Sequence, residues 1–289
     1  MEELRHVPVL VEEVVSTLVS EKTEIFVDAT LGLGGHSEEI LKRYEWVRVI
    51  GVDVDEEEIK IANERLKQFG KRLTIVKGNY RDLDKIIMGL GLGFVDAVLF
   101  DLGISSYHLN SKRGFSFLED EFLDMRMDKS QRLTAYDVVN KYPFKRLKEI
   151  IRTYGEEREA FRLADAIVRR RKLKEIKTAK ELAEIVGKAK KRRTRLHPAT
   201  LTFQAIRIEV NREIDNLKEG LKKATDVLRK GGRIGVISFH SIEDRVVKEF
   251  VKKEGSLIPI TKKPIIPSKE EILKNPRSRS AKLRVAEKV

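Results

Sequence analysis

The sequence predicts an α/β fold in which a parallel sheet is covered by helices on both faces and interrupted by an inserted all-helical region. Two patterns in the 289 residues carry this expectation. Over the first hundred residues short β-branched runs alternate with helical stretches, the mark of successive βαβ units. From about Asn110 to Ala205 almost no β-type run appears, and the strand pattern then returns as RIGVISF at Arg233 to Phe239. Composition agrees. With 41% hydrophobic residues the chain can bury a core, and 36% charged residues suffice to cover it, which excludes wholesale disorder.

EIFVDA (Glu24 to Ala29) reads as the first strand, because it is apolar and ends in a Gly-rich turn; a helix from about His36 to Tyr44 follows. VRVIGVD (Val47 to Asp53) is the second strand, Asp55 to Phe69 the second helix, LTIVKG (Leu73 to Gly78) the third strand and VDAVLFD (Val95 to Asp101) the fourth. Leu147 to Tyr154, Glu159 to Arg171 and Thr178 to Lys190 are amphipathic, with outer faces rich in Lys and Arg. Asp215 to Leu228 sets Leu217, Leu221, Ala224 and Leu228 on one helical face, with Gly231-Gly232 expected to end it. Ser241 to Lys253 reads as a helix, and KNPRSRSAKLRVAEK as a late strand or a tail. The expected organisation is one discontinuous domain, residues 1–109 and 213–289, carrying a helical insertion over residues 110–212. No internal repeats appear.

Charge and residue usage narrow the function classes. The 59 Lys and Arg against 46 Asp and Glu leave a net +13, which points to a polyanionic partner through counterion release. No apolar run approaches the roughly 20 residues of a membrane span, and the first residues lack a signal-peptide pattern, so a cytoplasmic protein is expected. Without cysteine there is no disulfide, thiolate metal site or cysteine nucleophile. The five histidines show no i,i+3 or i,i+4 pairing, so no metal cluster is expected. SFHSIED imitates a Ser-His-acid set, but no G-x-S-x-G elbow accompanies it.

VDATLGLGGHS places Gly32, Gly34 and Gly35 between a strand and a helix, where glycine permits positive φ and close approach of a ligand. A dinucleotide fingerprint would end in Gly or Ala, whereas Ser37 stands there and Asp28 precedes the turn. A carboxylate repels a pyrophosphate but attracts an ammonium, which favours S-adenosylmethionine over NAD. Asp53 closes the second strand 19 residues after Gly34, the spacing at which an acid reaches ribose hydroxyls. Tyr80, after the third strand, is positioned to lie against an adenine. Taken singly, such a turn is a tight turn and such an Asp a helix cap; in strand order they read as a nucleoside site.

The reacting groups are expected in DLGISSYHLN, at the carboxyl end of the fourth strand, where open α/β sheets bind their ligands. Asp101 is an acceptor there, Gly103 lets the chain turn closely past a flat ring, and Ser105, Ser106 and His108 add polar groups. The alternative has Asp101 capping the next helix and the serines as ordinary loop residues.

Several long motifs in order carry a family resemblance. His6-Val-Pro-Val, DATLGLGGHS, GVDVD, DLGISS, RGFSF, LDMRMD, HPATLTFQAIRIEVNREI, GGRIGVISFHSIEDRVVK and NPRSRSAKLR resemble the ribosomal RNA small subunit methyltransferase H family, also called MraW, over almost the whole chain. The resemblance implies a class I, Rossmann-like methyltransferase fold with a helical insertion. It also implies transfer of a methyl group from S-adenosylmethionine to N4 of a cytidine in the decoding centre of 16S ribosomal RNA, within the 30S subunit. By position the family's cofactor residues fall on Gly34, Gly35, His36, Asp53, Tyr80, Asp101 and His108. The chain departs from the usual DLGVSSPQLD at Tyr107, His108 and Asn110, and has Ala29 where Gly is common.

Bottom-up chemistry agrees with this substrate. The cytosine N4 lone pair is delocalised, so transfer needs alignment and a proton acceptor, a role that suits Asp101. Methylation at C5 needs a cysteine adduct, which this chain lacks; N4 or a ribose oxygen remains, on a base splayed from its stack. Candidate phosphate contacts are the runs at Arg169 to Lys174 and Lys188 to Arg195, with Arg277, Arg279 and Arg284. The first run also reads as a solvated helix face; the second has no acid between Glu184 and Glu209. Arg195, His197, Thr202, Gln204, Arg207 and Asn211 are expected to line the RNA cleft. Two other readings stand beside this one: an assembly protein with a vestigial pocket, and an N4-cytosine methyltransferase of another nucleic acid. The S/D-P-P-Y segment of the DNA enzymes is absent after the fourth strand. The oligomeric state is left open.

Overall fold

A computed structural model describes residues 8–192 and 196–289. The chain divides into two compact units, one running up to Gly103 and resuming over Ile214–Val289, the other Ile104–Glu213. The first begins with α1 (Val11–Leu18), then β1 (Ile25–Asp28), α2 (Gly35–Arg43), β2 (Arg48–Asp53), α3 (Glu56–Leu66), β3 (Leu73–Lys77), α4 (Leu83–Gly89) and β4 (Val95–Asp101). The helical unit holds α5 (Ser106–Asn110), α6 (Ala135–Lys141), α7 (Phe144–Tyr154), α8 (Ala160–Leu173), α9 (Ala179–Ala189) and α10 (Thr200–Asn211). There follow α11 (Glu213–Val227), β5 (Leu228–Ser238), α12 (Ser241–Lys253), β6 (Leu257–Pro259), α13 (Lys269–Lys274) and β7 (Lys282–Lys288).

The expected Rossmann-like α/β sheet forms with seven strands in the order β3-β2-β1-β4-β5-β7-β6. It is mixed rather than wholly parallel. β1 to β5 run parallel, while β7 is antiparallel to both β5 and β6. Burial on both faces explains the apolar run of β4 from Ala97 to Phe100: Val98 and Phe100 join the core that includes Leu83, Ile87, Leu217 and Leu221, whereas Ala97 and Leu99 join the one that includes Val14, Leu18, Ile40 and Leu41. The first polar side chain at the carboxyl end of β4 is Asp101, and the parallel strands together aim their carboxyl ends at one edge.

One local expectation changes. Gly231-Gly232 does not end a helix. α11 stops at Val227 and β5 starts at once, with the glycines inside it where the register with β4 shifts between Val95–Leu228 and Ala97–Arg233. Gly231 takes φ +77° and a Cβ on Gly232 would meet the Asp96 carbonyl oxygen at 3.0 Å, so the pair builds a bulge. The basic C-terminal segment ends in the late strand that was one of its two readings, β7, which buries Leu283, Val285 and Ala286. Sequence reading passed over α1, α4, β6 and α13.

The helical unit has its own core, built on i, i+3, i+4 spacings such as Leu147, Ile150 and Ile151 of α7 and Leu163, Ala164 and Ile167 of α8. Capping boxes start α6, where Thr134 pairs with Asp137, and α9, where Thr178 pairs with Glu181. Gly155 ends α7, and a Cβ there would lie 2.6 Å from the Leu201 carbonyl oxygen; glycine is what lets α7 and α10 approach. No helix among the described residues is long and apolar enough to cross a membrane.

Candidate active site

The Gly-rich turn has the conformation its glycines allow. Gly32 (φ +50°) and Gly34 (φ +78°, the residue before α2) are left-handed, and a Cβ on Gly34 would lie 2.7 Å from Leu66 Cδ1. Asp53 fixes the turn as well as facing it: its Oδ2 accepts the Gly32 N–H at 2.7 Å and its Oδ1 the Asp55 N–H at 2.9 Å. Asp55 in turn caps α3 by accepting from Glu57 N at 2.9 Å.

Asp28 and Asp101 close β1 and β4, which are neighbours in the sheet, and both make contact with α2. The Ser37 hydroxyl donates to Asp28 Oδ2 at 2.7 Å, while Asp28 Oδ1, in a residue 2% exposed, makes no hydrogen bond among the described residues. Ser37, the position that breaks the dinucleotide pattern, is thus the hydroxyl that orients the acid. Burial pushes the Asp28 carboxyl up to about 6, with the Ser37 hydroxyl and the Thr30 backbone pulling the other way. Asp101 is held by its backbone N–H, which donates to Thr30 Oγ1 at 2.6 Å. Its Oδ2 lies 3.6 Å from His36 Nδ1, and its Oδ1 is buried without a hydrogen-bond partner among the described residues. Burial again dominates in pushing its carboxyl up to about 6; His36 opposes this, and the charges of Asp28 and Glu243 add to it.

His36 is buried, with Nε2 2.9 Å from the Val9 carbonyl oxygen. Gly35, the first residue of α2, packs against Pro8, which a Cβ would meet at 3.3 Å. Tyr80 stands edge-on to Phe100 at 5.4 Å between ring centroids. It fits there because α11 has Gly220 opposite, where a Cβ would lie 2.6 Å from the Tyr80 ring. The unit therefore brings Asp28, Gly32, Gly34, Gly35, His36, Asp53 and Asp101 to the strand ends. Two buried carboxylate oxygens without partners among the described residues suit a ligand with a cationic group, as the S-adenosylmethionine expectation requires.

Within the helical unit, Ser105 rather than Asp101 caps the next helix. Its Oγ accepts the His108 N–H at 3.2 Å and its own N–H faces His108 Nδ1 at 3.3 Å. Ser106 opens α5, and the buried His108 ring lies 5.0 Å from that of Phe115. Of the residues expected to line an RNA cleft, Arg195 lies outside the described residues. His197 is exposed and stacks on Phe117 with ring centroids 4.3 Å apart. Gln204 donates to the Tyr154 carbonyl at 2.9 Å, and Arg207 makes two 2.8 Å bonds to Glu213. Asn211 accepts from Met127 N at 2.9 Å and donates to the Met125 carbonyl at 2.8 Å. These three polar groups tie the helical unit together.

The basic runs divide in a way sequence did not reveal. Lys190 is buried against Glu157 at 2.6 Å, with side chains only 3% and 5% exposed, and Glu159 accepts the N–H groups of Lys191 and Arg192. The acid that pairs with Lys190 comes from the loop before α8, 33 residues earlier, while residues 193–195 of this run lie outside the described residues. In the first run Arg171 donates to the Val139 and Tyr142 carbonyls at 2.6 Å. Arg284 pairs with Asp244 at 2.7 Å, whereas Arg277 and Arg279 are exposed. Thr30, Gly220 and Glu157 had no signal in the sequence, because each acts through a partner distant in the chain.

The model of the MraW methylase family matches residues 3–289. The chain is 51% identical to the ribosomal RNA small subunit methyltransferase H of Sulfurihydrogenibium sp. (strain YO3AOP1), over 99% of the chain and 100% of that protein. It is 50% identical to the protein of the same name from Persephonella marina, with the same coverage. A crystal structure of an rRNA methylase from Streptococcus thermophilus aligns with a TM-score of 0.46 at 12% identity, covering 96% of the chain and 93% of that structure. A family model that runs through both units and every motif singled out above leaves one assignment: the chain belongs to the MraW methylase family.

Proposed function

We propose that this protein transfers a methyl group from S-adenosylmethionine to N4 of a cytidine in the decoding centre of 16S ribosomal RNA, with the 30S subunit as its partner. Relatives of the same length, about half identical, bear the name of a small-subunit ribosomal RNA methyltransferase, which supports the substrate class. The observation that carries the chemistry is the buried, unpartnered Oδ1 of Asp101 at the end of β4, an acceptor available to an amino proton. The absence of cysteine speaks against the covalent route to C5.

Asp28 Oδ1 would hold the cofactor's ammonium, Asp53 its ribose hydroxyls and Tyr80 its adenine, with the backbone at Gly32, Gly34 and Gly35 allowing close approach. When bound, S-adenosylmethionine supplies an electrophilic methyl group on a sulfonium. Asp101 receives an N4 proton at Oδ1 as the nitrogen forms its bond to carbon. Because its carboxyl is pushed up to about 6, the acceptor is ionised above that pH and transfer falls as pH drops through it. Ser105, Ser106 and His108 shape the segment that follows Asp101 in the chain. Exposed His197, stacked on Phe117, offers a platform for a splayed base, and Arg277 and Arg279 offer phosphate contacts.

The test is transfer of label from methyl-tritiated S-adenosylmethionine to unmodified 30S subunits, naked 16S RNA and DNA, followed by nucleoside analysis. Label in N4-methylcytidine, with 30S the best acceptor, is the expected result. Label in another nucleoside overturns the N4 reading, and no label despite cofactor binding favours an assembly protein with a vestigial pocket.

A further inference from the structure

The side chain of His36 sits between a backbone carbonyl and the carboxylate that the reading above makes the proton acceptor. Its Nε2 is 2.9 Å from the Val9 carbonyl oxygen. A carbonyl only accepts, so Nε2 carries a hydrogen. A neutral ring would then present a bare lone pair at Nδ1 to Asp101 Oδ2, 3.6 Å away, with the ring buried and the carboxylate only 18% exposed. Two lone pairs facing at that distance repel, and a proton on either atom removes the repulsion. The surroundings decide which atom holds it. Asp28, at the end of β1, and Glu243, in the first turn of α12, add negative charge at Asp101, and a cationic imidazole offsets that charge where a protonated carboxyl would not.

We infer that His36 is a positioning residue that holds a proton at Nδ1 and so keeps Asp101 ionised, with Oδ2 oriented toward the ring and Oδ1 left to accept from the substrate. The inference rests on Asp101 as acceptor and adds the group that makes it competent. In the transfer step the N4 lone pair forms the bond to the methyl carbon, the carbon–sulfur bond breaks with its pair left on sulfur as a neutral thioether, and the N4–H bond breaks with its pair left on nitrogen. The proton goes to Asp101 Oδ1, while His36 keeps its own proton throughout.

The experiment has two readouts. Single-turnover transfer to 30S subunits is measured against pH for the parent, His36→Phe, which keeps ring volume, and His36→Asn, whose amide retains a donor toward Asp101. His36→Phe is expected to move the acidic limb up by about 1 to 3 pH units, with the rate recovering at high pH, and His36→Asn to move it less. A loss of the same factor at every pH, with the limb unmoved, would reduce His36 to packing and overturn the inference. Independently, 15N NMR of cofactor-free protein at pH 7 is expected to find a proton on His36 Nδ1 in the parent and none in Asp101→Asn. A bare Nδ1 in the parent overturns the inference even if a His36 variant fails to fold. Full turnover by Asp101→Asn would instead sink the acceptor reading of the preceding section, whatever the NMR reports.

Discussion

Asp28→Asn separates the cost of building the site from its use. Asp28 is 2% exposed, takes one hydrogen bond from Ser37 and has an oxygen without a partner. Its carboxyl is pushed up from an ordinary 3.8 to about 6, chiefly by burial. A raised value means that the folded protein holds the proton more tightly than the unfolded chain. The stabilising effect of that proton is complete below about pH 4 and is lost as pH rises through about 6. The difference of roughly two units corresponds to about 3 kcal/mol. Asparagine stays neutral at every pH and can still accept from Ser37, but its buried amide hydrogens cost about 1 to 3 kcal/mol. The variant should therefore be less stable than the parent at pH 4 and equal to it or more stable at pH 8. The pH-independent amide cost cancels in the comparison, leaving a swing of about 3 kcal/mol. Relief of the Asp28 charge on Asp101 acts in the same direction. Urea unfolding of ligand-free parent and variant at the two pH values measures the swing. A difference constant within about 0.5 kcal/mol would refute the view that Asp28 is kept as a buried charge, as would a variant destabilised most at pH 8. Calorimetry should show weaker S-adenosylmethionine binding by the variant at pH 8, where its stability is at least equal.

Four other outcomes follow from the same geometry. Asp101→Asn should bind cofactor within a few-fold of the parent yet lose at least about a hundredfold in single-turnover transfer, and the parent's rate should fall below about pH 6, where burial lets this carboxyl protonate. Lys190→Met leaves Glu157 buried and unpaired and should destabilise by about 3 to 5 kcal/mol, read as a lowered urea midpoint; adding Glu157→Leu should recover most of it. Gly34→Ala meets Leu66 at 2.7 Å with φ at +78°, so it should lose about 1 to 2 kcal/mol from the left-handed backbone alone, and more from the clash, with Leu66→Ala relieving only the latter. Replacing Arg277 and Arg279 together by Gln should leave the urea midpoint unchanged and reduce the slope of log affinity for 30S RNA against log salt by about 1.4 to 1.8; an unaltered slope would move the RNA contact elsewhere.

Sequence was most informative where the determinant is local. The strands through β4 and the helices α7, α8, α9 and α12 follow from apolar periodicity and appear within a few residues of expectation, because a buried strand or an amphipathic helix must carry its pattern in its own residues. The Gly-rich turn, Asp28, Asp53 and Asp101 were legible for the same reason, since each lies at the boundary of an element and breaks its apolar run. Tertiary structure decided which groups share a charge. Lys190 has its acid, Glu157, 33 residues earlier, and Arg207 and Asn211 have Glu213 and the Met125 and Met127 backbone as hydrogen-bond partners. The same holds for the site itself. The sequence by itself determined an α/β sheet with a helical insertion and acids at the ends of β1, β2 and β4. That Asp28 leans on Ser37, that Asp101 faces His36, and that both carboxyls are buried enough to resist ionisation were decided only by the fold. Desolvation and close pairing depend on atoms brought together from distant parts of the chain, and no local pattern records them.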